Sequence, residues 1–373
     1  MSAPHAVTLD ADHALFVSVV GAVAERSVAP AAAAIDAGSA VPDAVLDAAD
    51  EAGILDLLTA ADAAYPELVL LSALAVHRFA EASASVAVRV AAAHTVGAAV
   101  LASGEPAATA DRIVGAGGPR ALVVIDGRAH LRVARNGSKL VISGVVDPVV
   151  GAGEAGALLL LVAPVDDEPQ VLLVAADAPG VVAGPGVPRC GLRGTTGRVT
   201  FSEVAADEAQ RIGGPRAVRA AVAHADLLLA AAAAGMANAA IAQARDYMLT
   251  RRQFRQPIAE FGGLRAIVGA MAAETDAAWA LVEAAARGRE PWAGTVPVLA
   301  ARAAVVATRA AVRVAVDALQ MHGGYGYTTE FPGERLVRDA VSLRARAVGG
   351  MRSRIADSAD AVLGSPAGEP RPL

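Results

Sequence analysis

Gln320-Met321-His322-Gly323-Gly324-Tyr325-Gly326-Tyr327 is the stretch whose reading decides the fold. Its glycines interrupt the chain directly after an apolar block of helical spacing, Val298–His322, and a second such block, Glu334–Leu363, follows. Towards the N-terminus, Leu264–Arg287 and Ala217–Arg251 repeat the three- and four-residue spacing, and Pro291-Trp292-Ala293-Gly294 separates the second block from the third. Four long helices joined by short loops predict an up-and-down bundle over residues 216–373, ending in a proline-rich tail, Glu369–Leu373.

Before residue 216 the pattern changes. Between Pro119 and Gly214 short runs rich in valine and leucine, Ala121–Ile125, Leu140–Ser143, Ala157–Val162 and Val171–Ala175, alternate with Gly, Pro and Asp clusters. That predicts an antiparallel β domain, a barrel or sandwich, over residues 119–215. Gly151, Gly153 and Gly156 form a loop with no helix expected after it, so they are not a phosphate-cradling fingerprint. Residues 1–118 read as helices through Ala14–Ala34, Val41–Leu58, Leu68–Ala82 and Val86–Ser103, with Pro42 in a first turn and Gly53 at a helix end. A short helix is expected after Gly104-Glu105-Pro106. The fold class is α+β, mainly α, with helical, β and four-helix-bundle domains in that order.

Composition narrows the function classes. Of 373 residues 55% are hydrophobic but only 3% aromatic, so closely packed alanine-rich helices are expected. A net charge of −6 with interspersed signs offers no field for nucleic acid. Cys190 is the only cysteine, which excludes an intrachain disulfide and a thiolate metal cluster and fits a reducing compartment. No signal peptide is read in Met1–Asp10, so a cytoplasmic location is expected. Leu227–Ala244 is uncharged and long enough to span a bilayer, but its alanines, Asn238 and Gln243 predict a buried core helix instead. His94 and His322 have no His or carboxylate at ligand spacing, and His224 and Asp226 are two apart, so no metal site is expected.

The order of regions and the motifs resemble the acyl-CoA dehydrogenases. Arg251-Arg252-Gln253-Phe254-Arg255-Gln256-Pro257-Ile258 resembles that family's Arg-x-x-Phe-Gly-x-Pro-Ile, and Gln320–Tyr327 its Gln-x-x-Gly-Gly-x-Gly-Tyr. Glu330, Pro332, Arg335 and Arg338-Asp339-Ala340 fit the continuation. Gly191-Leu192-Arg193-Gly194, Phe201 and Ile212-Gly213-Gly214 fit the exit from the sheet, and Pro30, Asp36, Pro42 and Gly53-Ile54 give a looser match near the N-terminus. The resemblance implies FAD as cofactor, an acyl-CoA thioester as substrate, and Arg251, Phe254, Gln320, Gly323 and Gly324 as cofactor-binding residues reaching the FAD of a neighbouring subunit. The residue types suit a dinucleotide. Arg251 can bond a diphosphate bidentately, Gln320 can donate and accept towards ribose or adenine, and Gly323 and Gly324 let the backbone come close. Taken singly, Arg251 also reads as a helix-end residue and Gly323-Gly324 as a plain turn.

The departures from the family matter as much. Where most members carry a Tyr-Glu-Gly-Thr loop with the catalytic base, this chain reads Ala347-Val348-Gly349-Gly350, and no Asp or Glu lies between Asp339 and Asp357. Ala225 stands at the alternative base position, leaving Asp226 as the one candidate catalytic base, against its reading as a solvated carboxylate near a helix start. The flavin-ring loops are reduced to Val124-Ile125-Asp126-Gly127 and Val146-Asp147-Pro148, and Phe261-Gly262 replaces the family's Phe-Gln. Such asymmetry resembles the base-less subunit of actinobacterial α2β2 acyl-CoA dehydrogenases of steroid side-chain breakdown, which implies a paralogous partner. Two alternatives stay open: a self-sufficient homotetrameric dehydrogenase using Asp226, and a non-redox or scaffold use of the fold in a biosynthetic pathway.

Overall fold

The structure, a computed structural model, describes residues 10–58, 65–103, 122–126, 130–152, 158–166, 168–288, 294–329 and 331–345, with single positions 359 and 362. The N-terminal helices are α1 (Ala11–Val23), α2 (Ala29–Asp36), α3 (Asp43–Glu51), α4 (Tyr65–Ala82) and α5 (Ala84–Leu101). A π-helical turn, Ala24–Val28, joins α1 to α2 without a break. Asp10 caps α1 by accepting from the His13 N–H at 2.8 Å, and Ser83 caps α5 through the Val86 N–H at 3.5 Å. Pro42 is the N-cap of α3 rather than a first-turn residue, and Gly53 follows the helix with φ +65°. The helix expected after Pro106 lies outside the described residues.

Two four-stranded sheets follow. The strands are β1 (Leu122–Asp126), β2 (Leu131–Asn136), β3 (Lys139–Val150), β4 (Leu158–Val165), β5 (Glu168–Ala175), β6 (Val181–Pro185), β7 (Thr196–Asp207) and β8 (Arg211–Gly213). One sheet has the order β1-β4-β5-β8, the other β2-β3-β7-β6. The all-antiparallel expectation needs one correction: β1 pairs with β4 in parallel, Leu122 opposite Leu158, while the other pairs are antiparallel. The chain leaves β1 and returns to the second sheet before β4 enters alongside it, so no hairpin joins the two strands. Alternation along β5 explains the layers. Leu172 and Val174 pack between the sheets with Ile142, Val199 and Phe201, and Val171 and Leu173 turn outwards onto Val96, Val100 and Val218 of the helices.

The last part comprises α6 (Pro215–Thr250), a small hairpin of β9 (Arg252–Gln253) and β10 (Gln256–Pro257), α7 (Gly262–Ala286), α8 (Val296–Met321) and α9, helical over residues 333–345. α6 runs through the middle, touching α4 and α5 on one side and α7 and α8 on the other. Its run Ala230–Ala234 is buried, and at Gly235 a Cβ would collide with the His77 carbonyl of α4. Small side chains therefore bring the backbones together, and the alanine content is the imprint of that packing. Among the described residues three helices are long and apolar enough to cross a membrane, Ala11–Asp36, Ala84–Leu101 and Pro215–Thr250; the windows in the last two are 89% buried inside the protein and that in the first 28%.

Candidate functional site

α6 ends where its sequence stops supporting a helix. Arg251 turns to φ −69°, ψ 126°, its N–H still bonded to the Tyr247 carbonyl, and its own carbonyl accepts from the Ile258 N–H at 2.8 Å. That bond closes the segment 251–258 into a loop whose tip is Phe254 (φ +49°) and Arg255 (φ +69°). Two consecutive left-handed residues give the turn the twist a two-residue hairpin needs, without the glycine that usually supplies it.

α8 ends at Met321 beside that loop. His322 Nδ1 sits 2.8 Å from the Ala318 carbonyl, and the chain then turns at Gly323 (φ +57°) into a single 3-10 turn, Gly323–Tyr327. An aromatic cluster joins the two helix ends. Tyr247 lies 4.7 Å from the His322 ring and 5.9 Å from Phe331, and Phe331 also meets Tyr325 at 5.9 Å.

Between these elements is a cleft of ≈ 440 Å³ lined by Tyr247, Arg251, Gln253, Ile258, Gln320, Met321, His322, Gly323, Gly324, Tyr325 and Thr328. Arg251, Gln320, Gly323 and Gly324, about 70 residues apart in the chain, thus face one space. Phe254 does not line it; it stands at the hairpin tip, 88% exposed, its ring 6.2 Å from Phe261. No atom lies within 4 Å of where a Cβ on Gly323 or Gly324 would stand, so the backbone there is open to an approaching group. A guanidinium, an amide that donates and accepts, and bare backbone beside aromatic rings form a donor set that fits the diphosphate, ribose and base of a dinucleotide. Sequence reading missed Tyr247, Gln253 and Tyr325. Tyr247 carries the one available signal, standing four residues before Arg251, in the last turn of the helix.

The other end of α6 is built differently. Asp226 lies eleven residues into the helix and is 2% exposed, which corrects its reading as a solvated helix-start carboxylate: it is three turns inside, where α6 is covered on both sides. His224 is 1% exposed with neither ring nitrogen hydrogen-bonded among the described residues, and burial pushes its pKa down to about 3. His94 of α5 is lowered to about 4 by burial while its Nε2 stays on the Ile54 carbonyl at 2.6 Å. Both imidazoles are neutral at physiological pH.

In the β region Asp147 is held among its neighbours. It accepts from the Val187 N–H at 2.9 Å, Arg189 Nη2 at 2.9 Å and Arg198 Nε at 3.3 Å, and these bonds keep its carboxyl below the usual range against the opposing effect of burial. The segment Ala347–Gly350 lies outside the described residues. Among the described residues no group of three His, Cys, Asp or Glu side chains could hold a metal ion.

Comparison with known proteins places this architecture. The sequence profile of the acyl-CoA dehydrogenase N-terminal domain matches residues 10–111, and that of the C-terminal domain residues 213–351. A 3-sulfinopropanoyl-CoA desulfinase of Paraburkholderia xenovorans is 32% identical over 254 residues, 62% of this chain and 64% of that protein. An acyl-CoA dehydrogenase of Bacillus subtilis is 33% identical over 220 residues, 55% of this chain and 54% of that one. The matches therefore span about half to two thirds of these relatives' lengths. Butyryl-CoA dehydrogenase of Megasphaera elsdenii shares the fold, with a TM-score of 0.85 over 96% of this chain and 99% of that chain at 22% identity. Glutaryl-CoA dehydrogenase of Mycobacterium smegmatis does so at 0.84 and 19% identity, covering 97% of each chain. The two profiles, which together cover more than half of the chain on either side of the β region, make the chain a member of the acyl-CoA dehydrogenase superfamily, and the solved structures share its fold.

Proposed function

We propose that this chain is a cytoplasmic flavoprotein subunit for α,β-dehydrogenation of an acyl-CoA thioester, that it lacks a catalytic base of its own, and that it completes the FAD site of a paralogous partner in an α2β2 assembly. The observation that carries the reading is the convergence of Arg251, Gln320, Gly323 and Gly324 on one open cleft. Arg251 would bind the diphosphate, Gln320 the ribose or adenine, and the Gly323-Gly324 backbone would lie against the nucleotide. FAD, when bound, supplies the hydride acceptor. The missing base is supported by the sequence between Asp339 and Asp357, which holds no acid. Asp147, tied to Arg189 and Arg198, has its carboxylate engaged with protein, which suits a chain whose own ring face is dismantled.

The test is purification alone and with a co-expressed paralogue from an adjacent reading frame, followed by gel filtration, a flavin spectrum and anaerobic titration with acyl-CoA. The expected result is little flavin on the isolated chain, and stoichiometric flavin with bleaching on the hetero-oligomer. Stoichiometric FAD and acyl-CoA oxidation by the isolated chain would falsify the reading. A second reading is favoured by one relative: the Paraburkholderia protein is named for removal of a sulfinate group from an acyl-CoA. On that reading the missing base marks a non-redox reaction on an acyl-CoA. Product formation with no flavin bleaching would then replace dehydrogenation.

A further inference from the structure

His322 has one ring nitrogen committed and one to spare. The residue is buried at the end of α8, and its Nδ1 lies 2.8 Å from the Ala318 carbonyl, which can only accept. Nδ1 therefore carries the proton, and in the neutral ring Nε2 is a bare acceptor. Nε2 has no hydrogen-bond partner among the described residues, and it is not sealed from solvent as the unpartnered nitrogens of His224 are. The ring lines the cleft, so the cleft is the space onto which Nε2 opens.

The other polar side chains of the cleft do not offer this group in the same way. The Arg251 guanidinium only donates, and the Gln253 and Gln320 amides can turn to present either NH2 or oxygen. His322 is held: Tyr247 packs on its ring at 4.7 Å with a tilt of 31°, Phe331 lies 5.5 Å away, and the bond to Ala318 fixes the tautomer. Tyr325, also in the cleft lining, stands 5.9 Å from Phe331, so His322 belongs to an aromatic wall suited to a planar base, whereas Arg251 and Gln253 come from the hairpin side. Adenine presents an exocyclic amine, a donor, where guanine and hypoxanthine present a carbonyl oxygen.

We infer that His322 reads the base of the dinucleotide, Nε2 accepting from the exocyclic amine of adenine, so that the cleft selects an adenine dinucleotide over one whose base carries a carbonyl there. The inference rests on the nucleotide reading above. The test uses whichever assembly carries flavin on purification, the hetero-oligomer on that reading. Stripped of flavin, it is titrated with FAD, with flavin hypoxanthine dinucleotide and with FMN, and flavin fluorescence gives each affinity. The unaltered assembly should hold FAD about tenfold more tightly than the hypoxanthine analogue, the value of one hydrogen bond in a buried site. His322→Asn keeps an amide NH2 for the Ala318 carbonyl, and His322→Phe keeps a ring against Tyr247; each removes Nε2. Both variants should bind FAD and the analogue within about twofold of each other. FMN has no base, so its affinity should not change, which shows the assembly intact. If the unaltered assembly shows no preference for FAD over the analogue, or an intact variant keeps one, while FAD is still held more tightly than FMN, the inference is wrong and the nucleotide reading stands. FAD and FMN held alike by the unaltered assembly, or no flavin on either preparation, overturns both.

Discussion

Arg338 and Asp36, 302 residues apart, form a two-bond pair, Nη1 to Oδ1 at 2.7 Å and Nη2 to Oδ2 at 2.6 Å. The same guanidinium binds Glu334 through Nε at 2.6 Å and the Cys190 carbonyl at 2.8 Å, so one side chain ties α2, the connection between β6 and β7, and α9 together. Arg338→Lys keeps the charge but cannot reproduce the planar fork. It should lower stability by about 1–3 kcal/mol, the range for hydrogen bonds to charged groups in partly buried positions. Urea denaturation of the full chain measures this, and an unchanged midpoint would show the pair to be decorative.

Asp339, next to that arginine, gives a pH dependence. Burial raises its pKa to about 6 from 3.8, although its Oδ1 accepts from the Leu192 N–H at 2.7 Å. A folded pKa above the unfolded one means the folded protein holds its proton more tightly. The contribution from Asp339 is therefore fully present below about pH 4 and is lost as pH rises through about 6. Asp339→Asn keeps an oxygen for the Leu192 N–H and removes the titration. The stability difference between the variant and the unaltered chain should grow in the variant's favour from pH 4 to pH 7. A constant difference would contradict the assignment.

Gly324 separates binding from folding. Because no atom lies within 4 Å of its absent Cβ, Gly324→Val should change stability by no more than about 0.5 kcal/mol. The added branches would occupy the space into which the cleft opens, and the flavin affinity of the reconstituted hetero-oligomer should drop at least tenfold. Retained affinity would remove Gly324 from the nucleotide contact.

Gly235 is the opposite case. Its Cβ would meet the His77 carbonyl, so Gly235→Ala must push α6 away from α4. Overpacking of this kind costs about 1–3 kcal/mol, visible as a lower thermal midpoint with flavin binding by the reconstituted hetero-oligomer preserved. An unshifted midpoint would mean that the two helices part without penalty.

Asp226 distinguishes a base-less subunit from a self-sufficient enzyme. Asp226→Asn keeps the shape of a side chain that is 2% exposed. In the reconstituted hetero-oligomer its turnover with acyl-CoA should match that of the unaltered protein. A fall of a hundredfold or more, with folding intact, would identify Asp226 as the base.

The fold class was readable because helical spacing is long-range and redundant: the blocks of α6, α7 and α8 each repeat it over several turns, and single exceptions do not erase it. Pairing is not written that way. Nothing in Leu122–Asp126 states that it will lie parallel to Leu158–Val165, since the choice depends on the path of the chain between them. Asp226 was misjudged because a carboxylate next to an alanine run looks like a surface residue until the helices on both sides are known. The cleft was legible only as two motifs. Their meeting depends on α6 and α8 ending at the same level, and the supporting aromatics, Tyr247, Tyr325 and Phe331, have no common spacing. Phe254 shows the limit of motif reading: its position is recognisable, yet its ring faces Phe261 outside the cleft.

α6 is 36 residues long, about 54 Å at 1.5 Å per residue, and it carries Arg251 at its end as a fixed ruler. A helix transmits phase as well as length. One residue inserted among its alanines would swing Arg251 through about 100° and advance it by about 1.5 Å, leaving every side chain of the motif chemically intact but aimed elsewhere. The run between Leu227 and Ala244 should therefore accept changes of side chain more readily than changes of number.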